Sequence, residues 1–275
     1  AAAPIHRLDW RRDGVDWPQR EASAFIDAGG LRWHVQRYGE GPVVLLVHGT
    51  GAATHSWRGL GPLLAADHTV IAPDLPGHGF SAKGPARART LPGMARALGA
   101  LLTRLDCRPS LAVGHSAGAA ILARMALDTL IAPQRLVSIN GALLPFPGMG
   151  GPLFTTAAKL LAANPLSSAV FAARARRPAF VERLLERTGS RIDPIGFNLY
   201  ARLARDPAHV RGALGMMADW DLRGLHAELA ALPCRLLLLA GSRDHMVPPT
   251  DAERIAARVP GARAAVLEGL GHLAH

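Results

Sequence analysis

The segment that most constrains the fold of this chain is Gly114–Gly118, which has the sequence Gly-His-Ser-Ala-Gly. It follows Ser110–Val113, which predicts a strand, and it leads into Ala117–Leu127, whose alanines and leucines predict a helix. Small residues beside Ser116 allow a tight strand-to-helix turn that lifts a serine side chain above the end of a sheet. The segment therefore predicts a nucleophilic serine at 116, and an ordinary strand-to-helix turn is the alternative.

Strand and helix patterns alternate along most of the 275 residues. Ala24–Asp27 and Leu31–Tyr38 flank Gly29-Gly30 and predict a hairpin, and the continuous apolar run Val43–Val47 predicts a strand buried on both faces. This alternation predicts right-handed crossovers and a mostly parallel sheet in an α/β fold. The other predicted elements are strands at His68–Pro73, Arg135–Ile139, Arg235–Ala240 and Ala264–Leu267, a helix at Leu91–Leu105, and a helix capped by Thr250 that runs to about Val259.

The alternation stops between about Ala142 and His226, where no strand pattern occurs. We expect a helical cap, inserted at 142–228, over the carboxyl ends of the strands, where open α/β sheets bind ligands. The other predicted parts are an N-terminal arm at 1–22 and an α/β core in two pieces, 23–141 and 229–275. Prolines divide the cap into short helical segments: Pro147, Pro152, Pro165, Pro178, Pro194 and Pro207.

The partners of the serine are predicted from their order along the chain. A serine hydroxyl is a weak nucleophile, so it needs a base, and the base needs an acid that orients it. After this kind of turn the order is serine, acid, histidine. Asp244 follows the strand at Arg235–Ala240, and His272 follows the last strand, so we predict a catalytic triad of Ser116, Asp244 and His272. Weaker candidates are Asp219 and Asp221, which lie before the second core segment, His245 beside the acid, His275, and His115, which should pack under the turn.

An oxyanion needs backbone N–H donors aimed at the developing charge. Ala117 directly follows the nucleophile and is the first predicted donor. Thr50, in the loop His48–Gly51 after the Val43–Val47 strand, is the second. A phosphate loop would need a following Gly-Lys-Ser/Thr, which is absent from the sequence. The glycine-rich turn Asp74–Ser81 is expected to have a structural role beside the oxyanion loop.

Composition limits the classes of partner. The net charge is +10, and all of the 31 basic residues except Lys83 and Lys159 are arginine. Arginine suits carboxylates and anionic surfaces, although a solvated surface is the plainer interpretation. No nucleic-acid-binding motif occurs, so no nucleic-acid partner is predicted. The twelve histidines do not show ligand spacing with carboxylates, so we expect neither a metal nor a cofactor.

The location and surface contacts of the chain are also predicted. Cys107 and Cys234 form no paired motif, no apolar run is long enough to span a membrane, and the start shows no signal peptide. These features predict a cytoplasmic protein. A basic, aromatic arm either contacts a membrane surface or partner, or packs against the hairpin: Trp10, Arg11, Arg12, Trp17 and Arg20. Of the cap aromatics, Phe146 and Trp220 are predicted substrate contacts in an apolar pocket.

The motifs together resemble the α/β-hydrolase superfamily from about Ala24 onward. At residues 9–14, 30–36, 48–57, 117–127 and 140–146, the chain also resembles the BchO family of magnesium-chelatase accessory hydrolases in bacteriochlorophyll biosynthesis. That narrower resemblance implies a role near magnesium insertion into protoporphyrin IX, a small apolar or porphyrin-like ligand, and magnesium chelatase as a partner. Two functions remain open: a serine hydrolase of unknown substrate, and a non-catalytic binding or assembly factor on a hydrolase scaffold.

Overall fold

A computed structural model of the chain describes residues 7–145 and 164–275. Within them one eight-stranded sheet has the order β1-β2-β4-β3-β5-β6-β7-β8. The strands are β1 (Ser23–Ala28), β2 (Leu31–Tyr38), β3 (Val43–Val47), β4 (Thr69–Pro73), β5 (Leu111–His115), β6 (Arg135–Ile139), β7 (Arg235–Gly241) and β8 (Arg263–Leu267).

The sheet is mostly parallel, as the sequence predicts. Only β2 pairs in antiparallel fashion, with β1 through the hairpin and with β4. Gly29 and Gly30 have φ values of 58° and 76°, a backbone region that glycine adopts without strain. The remaining neighbours are parallel, so the loops after β3, β5, β6, β7 and β8 all leave the same edge of the sheet. The α/β fold class is confirmed.

Apolar residues bury the sheet between helices. Residues Val44–Val47 of β3 have no solvent exposure, which explains the continuous apolar run in the sequence. Helix α4 (Ala117–Leu127) packs on this sheet and buries all of its residues except the last. Helices beside the core strands are α1 (Trp10–Asp13), α2 (Leu60–Leu64), α3 (Leu91–Arg104), α4 (Ala117–Leu127) and α10 (Thr250–Ala256).

The start of α10 corrects one prediction. Thr250 is the first residue of the helix, the capping position belongs to Pro249, and no side chain caps this end. The helix ends at Ala256, before the predicted limit at Val259. Asp251 and Glu253 lie in its first turn, where their negative charges favour a helix N-terminus without a capping hydroxyl.

Helices occupy the described part of the chain between β6 and β7. Four of them begin with a proline, because this residue has no N–H to leave unpaired and its φ suits the first turn. Asn164, Asp193 and Asp206 precede three of these prolines, and their side chains accept hydrogen bonds from the first turn. The helices are α5 (Pro165–Arg174), α6 (Pro178–Glu186), α7 (Pro194–Ala204), α8 (Pro207–Asp219) and α9 (Arg223–Glu228).

The tryptophans of the N-terminal arm pack against the rest of the protein. The ring of Trp10 contacts Phe25 and His34 of the hairpin. Trp17 is 2% exposed, and its Nε1–H donates to Thr54 Oγ1 at 2.9 Å. Of the two alternatives for the arm, packing against the hairpin therefore describes Trp10, while Trp17 packs on the loop after β3.

Candidate active site

Ser116 lies at the turn between β5 and α4, with φ 52° and ψ −119°. A serine rarely adopts positive φ, and such strain persists where the surroundings enforce it. The Ser116 N–H donates to Ile139 O at 3.1 Å, and its carbonyl accepts from the N–H of Ala142 at 3.0 Å. These bonds fix the turn to the end of β6.

Glycines let the chain pass closely around this turn. A methyl group on Gly118 would meet the backbone of Val47, and one on Gly114 would meet the backbone of Ala119. A methyl group on Gly49 would lie 2.9 Å from Ser116 Cβ. The loop after β3 therefore lies directly against the serine, as an oxyanion loop would have to.

Asp244 and His272 are brought together by the loops after β7 and β8. Asp244 Oδ2 accepts a hydrogen bond from His272 Nδ1 at 2.8 Å, and Oδ1 accepts from the N–H groups of Met246 and Val247 at 2.7 and 2.9 Å. Burial opposes ionisation of this carboxyl, but the hydrogen bonds outweigh it and hold its pKa below the usual range. An ionised Asp244 fixes the ring so that Nε2, the nitrogen opposite the bonded one, is left for proton transfer.

The backbone of His272 is held from two directions. Its N–H donates to Thr188 O at 2.9 Å, in the turn after α6. Its carbonyl accepts from His115 Nε2 at 2.8 Å, so the histidine before Ser116 supports the loop that carries His272. The next residue, Leu273, donates from its N–H to Ser190 Oγ at 2.8 Å. Residues of the sheet edge and of the helical segment between β6 and β7 thus both contribute to the position of His272.

The weaker acid and base candidates occupy other places. Asp219 pairs with Arg89, Asp221 pairs with Arg223 at the surface, and His245 is exposed. The ring of His275 lies 3.9 Å from that of His115, centroid to centroid. In the described chain the hydrogen bond to the Asp244 carboxylate from an imidazole is made by His272.

Asn140 contacts the acid, and sequence reasoning missed it. Its Nδ2 donates to Asp244 Oδ2 at 2.7 Å, although the two residues are 104 positions apart. Asn140 directly follows β6 with φ 48°, a left-handed conformation that asparagine tolerates better than most residues. The signal that could have identified it is a polar residue at the carboxyl end of β6, the strand that pairs with β5.

The loop after β3 forms a tight turn at Gly49–Ala52. The Ala52 N–H donates to Gly49 O at 3.2 Å, and Gly51 has φ 77°, the combination of a type II turn. In such a turn the N–H of Thr50 makes no bond inside the turn. Ala117 is the first residue of α4, a position whose N–H has no acceptor within the helix. Both predicted oxyanion donors thus have the backbone setting that an open donor needs.

Asp74 is a second buried carboxylate at this edge of the sheet. It accepts from His34 Nδ1 at 2.7 Å, from Thr54 N–H at 2.7 Å and from Phe80 N–H at 2.9 Å. Burial opposes ionisation, but the His34 ring and the other donors outweigh it and hold the pKa of Asp74 well below the usual range. The carboxylate thereby joins β2, the loop after β3 and its own loop, which suits the structural role expected for Asp74–Ser81.

A family model described as "Alpha/beta hydrolase family" matches residues 44–275. The chain belongs to this family. The "Magnesium-chelatase 30 kDa subunit" of Rhodobacter capsulatus is 39% identical over 270 residues, which cover 98% of this chain and 94% of that protein. The "Pimeloyl-[acyl-carrier protein] methyl ester esterase" of Aeromonas hydrophila subsp. hydrophila is 30% identical and covers 86% of this chain and 91% of its own. An alpha/beta hydrolase fold protein from Burkholderia ambifaria superposes with a TM-score of 0.75 at 22% identity, over 98% of this chain and 93% of that chain.

Two further observations concern ligands and membranes of this alpha/beta hydrolase. Among residues 7–145 and 164–275, no group of three or more His, Cys, Asp and Glu side chains could hold a metal ion. In the same residues no helix combines the length and the hydropathy that crossing a bilayer requires.

The two predicted substrate contacts lie in different parts of the segment between β6 and β7. Phe146 lies outside the described residues. Trp220 follows α8, is half-buried, and packs against the main hydrophobic core. Other cap aromatics contact each other, since the rings of Phe171 and Phe180 meet edge to face at 5.2 Å. Contact of Trp220 with a substrate stays a prediction.

Proposed function

We propose that this chain is a serine hydrolase whose catalytic triad is Ser116, His272 and Asp244. The observation that carries the proposal is the 2.8 Å hydrogen bond between Asp244 and His272, made at the sheet edge where Ser116 is held at positive φ. A serine in a purely structural turn does not require a buried imidazole in a fixed orientation nearby.

In the proposed reaction, Ser116 Oγ attacks an ester carbonyl carbon while His272 takes the hydroxyl proton. The N–H groups of Thr50 and Ala117 stabilise the oxyanion. His272 then gives the proton to the leaving alcohol, which leaves an acyl group on Ser116. Water, activated by the same imidazole, attacks this acyl group and releases the carboxylic acid, and the proton returns to Ser116. Asp244 stays ionised and orients the ring throughout.

An ester-like substrate under the apolar cap fits this chemistry. The esterase from Aeromonas is 30% identical to this chain over most of both chains, and this similarity supports the proposal that the substrate is an ester. Trp220 and Phe146 are the proposed apolar contacts, and both lie on segments inserted between β6 and β7.

We further propose a place in bacteriochlorophyll biosynthesis, near magnesium insertion into protoporphyrin IX. Its support is the 39% identity with a protein named as a magnesium-chelatase subunit. A non-catalytic role, holding a porphyrin-like ligand or the chelatase, is the second candidate that this relative favours. In that role arginines would pair with the carboxylates of the ligand. A cytoplasmic location and peripheral membrane contact belong to the same proposal, and Cys107 and Cys234 are both unpaired, as in a reducing compartment.

A fluorophosphonate probe tests the hydrolase proposal. The probe forms a bond from phosphorus to an activated serine oxygen and releases fluoride. We expect stoichiometric labelling of the wild type and none of Ser116→Ala. Ser110→Ala is the matched control, since Ser110 lies at the other end of β5, and it should label like the wild type. Labelling that survives Ser116→Ala would identify another nucleophile and contradict the proposal.

Complementation separates the two candidate functions. Ser116→Ala is expressed in a bacteriochlorophyll-producing strain that lacks this protein, and its folded amount is matched to the wild type by immunoblot. Loss of pigment favours catalysis. Full rescue favours the binding or assembly role, and unchanged pigment in the strain without the protein would contradict the place in the pathway.

A further inference from the structure

A histidine of the cap lies against the loop that carries Thr50. His209 belongs to α8 and is 4% exposed. Its Nδ1 accepts from the Gly79 N–H at 3.0 Å, and its Nε2 lies 3.1 Å from Gly51 O. Because Nδ1 is an acceptor, the proton is on Nε2, which donates to Gly51 O. One imidazole therefore joins the Gly49–Ala52 turn to the loop after β4.

One face of helix α8 packs closely on the Gly49–Ala52 turn and on the loop after β4. Residues 209, 212, 213 and 216 follow the spacing of one helical face. A methyl group on Gly212 would meet Gly77 O, and one on Gly51 would reach the side chain of Ala213. Met216 Sδ accepts from Thr50 Oγ1 at 3.3 Å. The helix thus contacts both the backbone and the side chain of the turn.

The imidazole of His48 also makes a hydrogen bond to this turn. His48 Nε2 accepts from the Leu75 N–H at 2.9 Å, and Nδ1 donates to Gly49 O at 2.8 Å. Burial lowers the pKa of His48 to about 4 and also lowers the pKa of His209. Neutral rings can accept at one nitrogen and donate from the other, as these bonds require. The carbonyls of Gly49 and Gly51, on either side of Thr50, are therefore both fixed by histidines.

We infer that His209 is a positioning residue of the oxyanion loop: the cap holds the Thr50 N–H in place through the bond from His209 to Gly51. The inference rests on the proposed hydrolase function for its effect on rate. His209 does not touch the reacting atoms. Through this bond, the position of the Thr50 N–H depends on how α8 packs against the loops after β3 and β4.

Three substitutions at one position separate the two bonds of His209. His209→Phe keeps the ring volume and removes both bonds. The amide of His209→Gln reaches the place of Nε2 and can again donate to Gly51. The shorter amide of His209→Asn lies at the place of Nδ1 and restores only the acceptor for Gly79. Tyr200→Phe is the matched control, because it removes a cap–core hydroxyl that contacts Ser56 rather than the Gly49–Ala52 turn.

Hydrolysis of p-nitrophenyl acetate gives the first readout. We expect His209→Phe and His209→Asn to lower kcat by about tenfold to a hundredfold with little change in KM, since small displacements of a stabilising group cost that much. His209→Gln should stay within about threefold of the wild type, and Tyr200→Phe should match it. A structural role alone would not separate Gln from Asn, so equal rescue by both, or an unchanged kcat in the Phe variant, overturns the inference.

Amide exchange gives a readout that needs no activity. Ala52 N–H closes the Gly49–Ala52 turn, and its deuterium exchange should become faster in His209→Phe and stay unchanged in Tyr200→Phe. If the wild type neither hydrolyses the ester nor takes up the probe, the hydrolase proposal fails while this exchange still decides the inference. Unchanged exchange of Ala52 in His209→Phe would overturn it.

Discussion

Two aspartate–histidine pairs of this chain have nearly the same hydrogen bonds. Asp74 accepts from His34 Nδ1 at 2.7 Å, and Asp244 accepts from His272 Nδ1 at 2.8 Å. Each carboxylate also accepts two backbone N–H groups. The geometry within a pair therefore does not tell a structural pair from a candidate catalytic one.

The surroundings of the two rings differ. The side chains of His34 and Asp74 have no exposure, and the His34 ring lies against Trp10, Phe25 and Phe80. In the described part of the chain, His34 Nε2 has no hydrogen-bond partner. The His272 side chain keeps 10% exposure, and the His115 that supports it precedes Ser116. We infer that the groups within reach of the second ring nitrogen, Nε2, decide whether such a pair has a structural or a catalytic role.

The largest expected effect comes from Asp244→Asn. An amide in place of the carboxylate leaves the wrong tautomer of His272, and in serine proteases the equivalent change lowers kcat about 10⁴-fold. We expect a loss of kcat on p-nitrophenyl acetate on that order. Because the Asp244 side chain is also buried and accepts four hydrogen bonds, kcat is measured at a temperature at which circular dichroism shows the variant to be folded. Asp221→Asn, which removes a surface pair with Arg223, is the control and should keep full activity. A tenfold loss or less would show that Asp244 does not orient the base.

Asp74→Asn should lower the stability of the protein without a comparable loss of kcat. It removes the charge that three donors surround in a site without exposure, and loss of one partner of a buried pair costs about 3–5 kcal/mol. Urea unfolding should show this decrease in the free energy of unfolding. The folded fraction should keep kcat within about threefold of the wild type. Unaltered stability would mean that the pair around Asp74 contributes little to the fold.

Acid should reduce the stability difference between the wild type and Asp74→Asn. The folded pKa of Asp74 is lowered, so its contribution is complete above the unfolded value, about 3.9, and is lost as the pH falls toward the folded value. Unfolding free energies at pH 7, 4 and 3 should therefore converge for the two proteins. A difference that stays constant over this range contradicts the assignment of an ionised Asp74.

The smallest change in stability should follow Trp10→Phe, which replaces the indole ring that packs on the His34 ring with a smaller ring. Trp10 lies 4.7 Å from that ring, centroid to centroid, and a smaller aromatic residue should cost about 1 kcal/mol of unfolding free energy. Neither labelling nor ester hydrolysis should increase. New labelling at Ser81, whose Oγ accepts from the His34 N–H, would show that only burial keeps this pair inactive.

The parallel core could be predicted from the sequence because its information is local. The strand bounds at Val43–Val47 and Arg135–Ile139 follow from apolar residues that are neighbours in the sequence. In the described part of the segment between β6 and β7, the first residues of four helices are prolines, since proline suits the first turn: Pro165, Pro178, Pro194 and Pro207. Asn140 and His209 could not be predicted this way. Their bonds join residues more than a hundred positions apart, and a single polar residue gives no period to detect.

The candidate site was predictable where order along the chain carries information. Ser116 has a motif with its strand and helix, and Asp244 and His272 follow later strands. The supports of the site were less accessible. The local sequence around Asp74 is like that around Asp244, since each follows a strand and precedes a glycine-rich or proline-rich turn, and only their order relative to Ser116 distinguishes them. The packing around His34 makes the difference, and it depends on an N-terminal tryptophan.

The most direct test is the site of the fluorophosphonate adduct in the wild-type protein, mapped by tandem mass spectrometry. The account predicts a single phosphonylated residue, Ser116, next to the loop of His272 and Asp244. An adduct on Ser81, beside His34 and Asp74, or a protein that stays unmodified while folded, would contradict it.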